Sequence, residues 1–222
     1  MSNAQEGTSS APFAVELRHI NKRFGSVWAN QDIDLTIPKG TIHGIIGENG
    51  AGKSTLMSVL YGFYEADSGE ILIDGQMVKM TNSMQAIAHG VGMVHQHFML
   101  VEPLTALENV LLGAEDSWSL DVSKAKARER LEAISTQFGL NVPLDEAVGE
   151  LAVGVQQRVE ILKALYRQAK ILILDEPTGV LTPQEADQLF TVLRDLRAQG
   201  VTVLIITHKL REIMDVTDNI SI

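Results

Sequence analysis

The stretch Gly47-Glu48-Asn49-Gly50-Ala51-Gly52-Lys53-Ser54 decides the fold. It matches G-x-x-x-x-G-K-[ST], a spacing with a physical reason. Glycines let the backbone curl so that successive N–H groups point inward at phosphate oxygens. Lys53 reaches the β- and γ-phosphates, the Ser54 hydroxyl can ligand magnesium, and Thr55 follows on the same turn. A helix starting there adds the positive end of its dipole. By itself the run would also suit a plain glycine-rich turn between a strand and a helix. Its flanks decide otherwise. Thr41 to Ile46 is short and mostly apolar, as a buried strand is, and Lys53 to Leu60 reads as a helix. The candidate phosphate contacts are Gly47, Asn49, Gly50, Ala51, Gly52, Lys53, Ser54 and Thr55.

Working outward, Val15, Leu17, Ile33, Leu35 and Ile37 alternate with polar residues, the period of strands. Pro38-Lys39-Gly40 is a turn. Glu70 to Ile73 is a strand running into a turn at Asp74-Gly75, and Val91 to Val94 is a buried strand. From Leu104 to about Leu165 the period changes to that of helices. Ala127, Leu131, Ile134 and Phe138 share one face, with Gly139 as the C-terminal cap. Val155, Val159, Leu162 and Leu165 mark another. Thr182-Pro183-Gln184-Glu185 is a complete helix start: threonine at the cap, proline first inside, glutamate closing a capping box. Ala186, Leu189, Phe190, Leu193 and Leu196 form its buried stripe, and Gly200 ends it. Val201 to Ile206 is again a buried strand. Strands apolar on both faces, alternating with helices, predict an α/β fold with a parallel sheet covered on both sides.

Ile171-Leu172-Ile173-Leu174-Asp175-Glu176 places two carboxylates at the carboxyl end of a buried strand, the edge where open α/β sheets bind ligands. Beside a phosphate loop, Asp175 is a candidate magnesium ligand. Glu176 is positioned to polarise a water for attack on the γ-phosphate. The plainer possibility is that Glu176 merely leads into the turn at Pro177. A second acid favours hydrolysis over simple binding.

Composition narrows the function. The 222 residues hold 18 basic and 28 acidic side chains, for a formal charge of −10, and no cysteine. Disulfides, thiolate metal sites and a cysteine nucleophile are excluded. The acid excess argues against a nonspecific grip on nucleic acid, which needs clustered lysine and arginine. No apolar run approaches the ~18 residues of a membrane span. Met1 to Pro12 is small and polar, unlike a secretory signal. It reads as a disordered lead-in, with Ser2-Asn3-Ala4 resembling a cloning scar. Asn219 to Ile222 looks like the start of a strand, an unusual place for a domain to stop, which suggests a truncated chain.

The remaining motifs resemble the ATP-binding cassette (ABC) family, a branch of the P-loop NTPases. Leu151-Ala152-Val153-Gly154-Val155-Gln156, followed by Gln157-Arg158, is similar to that family's signature motif. Gln96 matches the Q-loop glutamine, His208 the switch histidine, and Phe24 the aromatic residue that stacks on adenine. Asp67 to Ile71 and Thr105 to Val110 also look like family landmarks. The likeness runs from about Phe13 to Ile222. Each residue alone has an ordinary reading: Phe24 as core, His208 as a surface histidine, Gln96 as a loop residue. His95 and His97 flank Gln96 but lack the spacing and third ligand of a zinc site. The order of the set carries the resemblance.

The resemblance implies a mainly parallel core sheet, an antiparallel β subdomain, and an inserted α-helical subdomain at about 99–165. It implies ATP and Mg2+ as cofactors. Ser54, Gln96 and Asp175 would hold the metal, and Glu176, His208 and Gln96 would serve catalysis. Leu151 to Gln156 would act in trans on ATP held by a second cassette. Permease subunits would be membrane partners, with a solute-binding protein engaged indirectly. The chain would sit at the cytoplasmic face of the membrane and bind no nucleic acid. L-x-V-G-x-Q-Q-R-V-E-I-L-K-A-L-Y and L-D-E-P-T-x-V-L-T-P-Q-E look like the simple-sugar and nucleoside importers, whose ATPase chains carry two cassettes in tandem. This would be the amino-terminal one. Departures from the pattern are Ala152 for the signature serine, Val153 for its first glycine, and Thr182 for the D-loop aspartate. Ala152 keeps a weakly hydrolysing, regulatory cassette in view, against the intact Glu176 and His208. A soluble non-transport ABC ATPase and a different P-loop class, such as a nucleotide kinase or GTPase, are the competing readings.

Overall fold

The alternation of apolar side chains along four short strands sets the architecture. The computed structural model describes residues 12–112 and 120–222, apart from the side chains of 120–123 and 211–212. The expected lead-in therefore lies outside the described residues except for Pro12. The chain runs β1 (Phe13–Phe24), β2 (Val27–Pro38), β3 (Ile42–Ile46), α1 (Lys53–Leu60), β4 (Ser68–Ile73), β5 (Gln76–Val78), α2 (Ser83–Ala88) and β6 (Val91–Val94). It continues through α3 (Ala106–Leu111), α4 (Leu120–Gln137), α5 (Val153–Tyr166), β7 (Ile171–Asp175), α6 (Pro183–Ala198), β8 (Thr202–Thr207), α7 (Leu210–Met214) and β9 (Asn219–Ser221).

Two sheets result. One is parallel, in the order β6-β7-β8-β3-β9, and the other antiparallel, in the order β2-β1-β4-β5. Successive strand residues point to opposite faces. Ile171, Ile173, Leu204 and Ile206 accordingly join α1 and the antiparallel sheet in one apolar cluster. Leu172, Leu174, Val203 and Ile205 join α3 to α6 in a second cluster on the other face. The parallel sheet is thus covered on both sides, as the continuous apolar runs predicted. The helical segment shares that second cluster with the sheet rather than closing a core of its own.

The helix ends follow their local chemistry. Thr182 caps α6 with both halves of a capping box, and Thr105 does the same for α3. Gly139 takes a positive φ of 63° after α4, where the Leu140 amide bonds the Ser135 carbonyl. The carboxyl-terminal residues do form a strand: β9 pairs in parallel with β3 through Gly44↔Ile220. The short elements β5, α2 and α7 were not expected from the pattern.

Candidate nucleotide site

The parallel sheet delivers three segments to one edge. β3 ends at Ile46 and releases the glycine-rich loop, β7 ends at Asp175, and β8 ends one residue before His208. Gln96 follows β6 on the same edge. Together they line an open groove of about 420 Å³ that includes Asn49 to Thr55, Gln96, Glu176 and His208. That volume suits a small organic ligand.

The loop is held from outside. Gly52, the N-cap of α1, has φ 88° in the left-handed region. A Cβ there would stand 2.0 Å from the Ala29 carbonyl oxygen. The buried Asn30 side chain donates to the Gly52 carbonyl at 3.2 Å. Only glycine fits this approach of strand β2 to the loop. Lys53 Nζ donates to the carbonyls of Gly47 and Glu48, at 2.7 and 2.8 Å, folding its ammonium back across the loop. The N-cap of α1 gives no side-chain hydrogen bond and its first turn has no acid, leaving the dipole's positive end toward the groove.

The acidic edge is more constrained. The Ser54 hydroxyl donates to Asp175 Oδ1 at 3.1 Å. Burial pushes the Asp175 carboxyl up; the Ser54 bond pulls it down, and the Glu176 charge raises it again. Glu176 has φ 48°, a conformation that costs a non-glycine residue about 1 kcal/mol or more. Two bonds hold it there. Its N–H donates to the Ile206 carbonyl at 2.9 Å, and Oε1 meets His208 Nδ1 at 2.9 Å. Oε2 of Glu176 is buried with no hydrogen-bond partner among the described residues.

These features fit a magnesium nucleotide. Hydroxyl and carboxylate oxygens are the hard donors that magnesium takes, usually with phosphate oxygens and waters completing its shell. The described residues hold no cluster of three or more acidic or histidine ligands, so the protein alone offers only part of such a shell. The unpartnered Glu176 oxygen has the character of an acceptor awaiting a polar group.

The other expected residues are distributed unevenly. Phe24 does not line the groove. It pairs across the hairpin with Val27, which does, and its ring meets Tyr64 edge-on at 5.0 Å. Trp28 and Ala29 also line it and were not anticipated; the exposed Val27-Trp28 pair after the Gly25-Ser26 turn was the available signal. His97 is exposed, whereas His95 packs its ring against Phe63 at 5.3 Å. Leu151 to Gln156 stand apart from the groove lining, at the start of α5. Leu151 is buried, Ala152 is the N-cap, and Gln156 Nε2 donates back to the Leu151 carbonyl at 2.9 Å.

A glycine-rich phosphate loop, an acidic strand end and a histidine on one edge of a parallel sheet define a P-loop nucleotide-binding domain. The chain belongs to the ABC transporter family, whose match spans residues 30–179. It is 44% identical over 208 residues to a nucleoside import ATP-binding protein of Lactococcus lactis, covering 94% of this chain and 41% of that one. It is 44% identical over 239 residues to a glucose import ATP-binding protein of Haloferax volcanii, covering 95% and 43%. A ribose import ATP-binding protein of Hahella chejuensis is 46% identical over 209 residues, with 94% and 42% covered. The chain thus spans about two-fifths of the length of these relatives. The crystal structure of a nucleotide-free ATP-binding cassette from an ABC transporter superposes with a TM-score of 0.81 at 28% identity, covering 93% of this chain and 85% of that one. A subunit of an ABC transporter complex from Clostridium perfringens gives 0.81 at 26%, covering 94% and 84%. The fold is therefore that of an ATP-binding cassette. No helix among the described residues is long and apolar enough to cross a membrane.

Proposed function

We propose that this chain binds and hydrolyses ATP to drive a membrane importer of simple sugars or nucleosides. The carrying observation is the pairing, in one groove, of the phosphate loop with a Glu176 oxygen that lacks a partner. Backbone N–H groups of Gly50 to Lys53 and the Lys53 ammonium would bind the β- and γ-phosphates. Ser54, Asp175 and Gln96 would hold magnesium, which neutralises phosphate charge. Glu176 Oε2 would accept a proton from the attacking water. The water oxygen bonds to the γ-phosphorus as the bond to the β,γ-bridging oxygen breaks, leaving ADP and phosphate. His208 keeps Glu176 oriented through Oε1. Phe24, with Trp28 beside it on the hairpin, would meet the adenine.

Leu151 to Gln156 would complete an ATP site on a second cassette, in tandem or as a second copy. Permease subunits would dock on the helical face. A pocket of about 270 Å³ there is lined by Tyr61, Phe63, His95, Met99, Glu160 and Lys163, among others. His95 and Gln96 are adjacent, and their side chains face that pocket and the nucleotide groove respectively. The named imports of the relatives support sugars or nucleosides as cargo, and an assembly of this kind places the chain at the cytoplasmic face.

The test is ATP turnover of the wild type and Glu176→Gln, with ATP binding measured in parallel. We expect turnover to fall by about 10²–10⁴-fold with binding retained. Equal turnover in both would overturn the hydrolytic reading. It would leave the regulatory cassette, which Ala152, an N-cap without a side-chain hydrogen bond, favours.

A further inference from the structure

Glu185 is read from the sequence as the closing residue of the α6 capping box, and it is that. Its Oε2 accepts from the Thr182 N–H at 2.9 Å and the Thr182 hydroxyl at 2.8 Å. Its other oxygen does something the capping box does not require. Oε1 accepts from the Gly154 N–H at 3.2 Å, in the first turn of α5. One carboxylate therefore serves the starts of two helices, 31 residues apart in the chain. The Thr182 amide and hydroxyl, then the Gly154 amide, hold its carboxyl below the usual range.

This second bond makes up a local deficit. The N-cap of α5 is Ala152, whose carbonyl accepts from the Val155 N–H at 2.8 Å but whose side chain has no oxygen to offer the Gly154 amide. A serine there would accept from the second or third helical N–H, which are those of Gly154 and Val155. Gly154 is also what lets the carboxylate in. A Cβ at that position would lie 2.9 Å from Glu185 Oε1 and 3.0 Å from Cγ. Ala152, Gly154 and Glu185 thus form one unit: a missing cap, an open approach, and a carboxylate from the neighbouring helix. α6 in turn begins seven residues after Glu176.

We infer that Glu185 is a positioning residue for the signature segment, setting the start of α5 against α6 in place of a side chain at 152. This rests on the proposed role of that segment in completing a partner's ATP site. It adds that the segment's geometry is held from the helix following the catalytic strand, so the acidic edge and the signature are mechanically joined within one cassette.

Glu185→Gln separates the two bonds. A glutamine closes a capping box as well as a glutamate. It has a single acceptor oxygen, so keeping Thr182 forfeits Gly154. In nucleotide-free protein, we expect amide exchange at Gly154 to quicken about tenfold while α6 amides stay unchanged. In ATP turnover, kcat should fall about five- to tenfold, while ATP binding to the single cassette is unchanged because its own phosphate loop is intact. Ala152→Ser in the same chain should restore both readings, since serine caps α5 directly. A purely structural role in α6 would give no rescue of Gly154 exchange, and on kcat the two substitutions would simply add. Gly154 exchange indifferent to residue 185, or additive effects of the two substitutions on kcat, would overturn this inference. So would a rise in kcat for Glu185→Gln, which would make the carboxylate an obstacle rather than a support. Wild-type chains without any turnover would overturn the proposed function, and this inference with it; turnover present but indifferent to residue 185 overturns the inference alone.

Discussion

Helices α1 and α5 begin alike and are finished differently. Neither N-cap, Gly52 or Ala152, makes a side-chain hydrogen bond, and neither first turn carries an acid. By contrast α3 and α6 close complete capping boxes on their own threonines. At α1 the deficit faces a groove with a lysine folded across it. At α5 a carboxylate from the next helix fills it. The short α2 is likewise capped by its own Asn82, whereas the short α7 starts at Lys209 with no side-chain cap bond. The two that would meet phosphate have N-caps with no side-chain cap bond. The buried faces differ as well. α1 buries Leu56, Met57, Val59 and Leu60, whereas α5 buries Gln157 and Glu160 among its apolar residues.

The largest effect should come from closing the open end by force. Gly52→Ala puts a Cβ against the Ala29 oxygen and holds alanine at φ 88°. We expect a loss on the order of 3 kcal/mol in stability together with loss of ATP binding. Thermal unfolding and nucleotide titration check both. A stable, ATP-binding variant would mean that strand β2 does not constrain the loop. Next comes Lys53→Ala, which keeps the backbone approach of β2 to the loop but removes the loop's charge and the two bonds of Nζ to the Gly47 and Glu48 carbonyls. ATP affinity should fall about 30–100-fold, with a change in melting temperature far smaller than that of Gly52→Ala. Unchanged affinity would show that the open helix end and backbone amides suffice.

The contrast between the helices also explains what could be read in advance. The phosphate loop, the Asp175-Glu176 strand end and the Thr182 capping box are contiguous in sequence, and local chemistry dictates each. The parallel sheet followed from strands apolar on both faces. The second bond of Glu185 was not legible, because its donor lies 31 residues away and only packing of α5 on α6 brings them together. Trp28 was missed for a related reason. The β1–β2 register shifts several times between Leu17 and Arg23, so period-two counting cannot say what that strand presents to the groove. The Glu176–His208 pair was legible as two candidates but not as a contact, since parallel pairing of β7 with β8 sets it.

The smallest effect tests the buried faces. Glu160, on the inner side of α5, is 5% exposed, and its Oε1 has no hydrogen-bond partner among the described residues, only Lys163 Nζ at 3.8 Å. Burial pushes its carboxyl up; Lys163, the Met99 amide and Arg167 pull it back down. The fold therefore binds this proton more tightly than the unfolded chain does. Linkage fixes the sign. The contribution is favourable below the ordinary glutamate range and is lost as pH rises from there through the folded value. Above that range the unfolded chain carries the charge, and the fold bears the cost of burying it. Glu160→Gln keeps the shape and removes the charge, so it should raise the melting temperature at pH 7. Losing the 3.8 Å approach of Lys163 offsets part of that, which holds the gain below about 1 kcal/mol. The gain should shrink as pH is lowered into the carboxylate range, and differencing against wild type cancels the other acids. A difference that stays flat with pH would mean that Glu160 is as well solvated folded as unfolded.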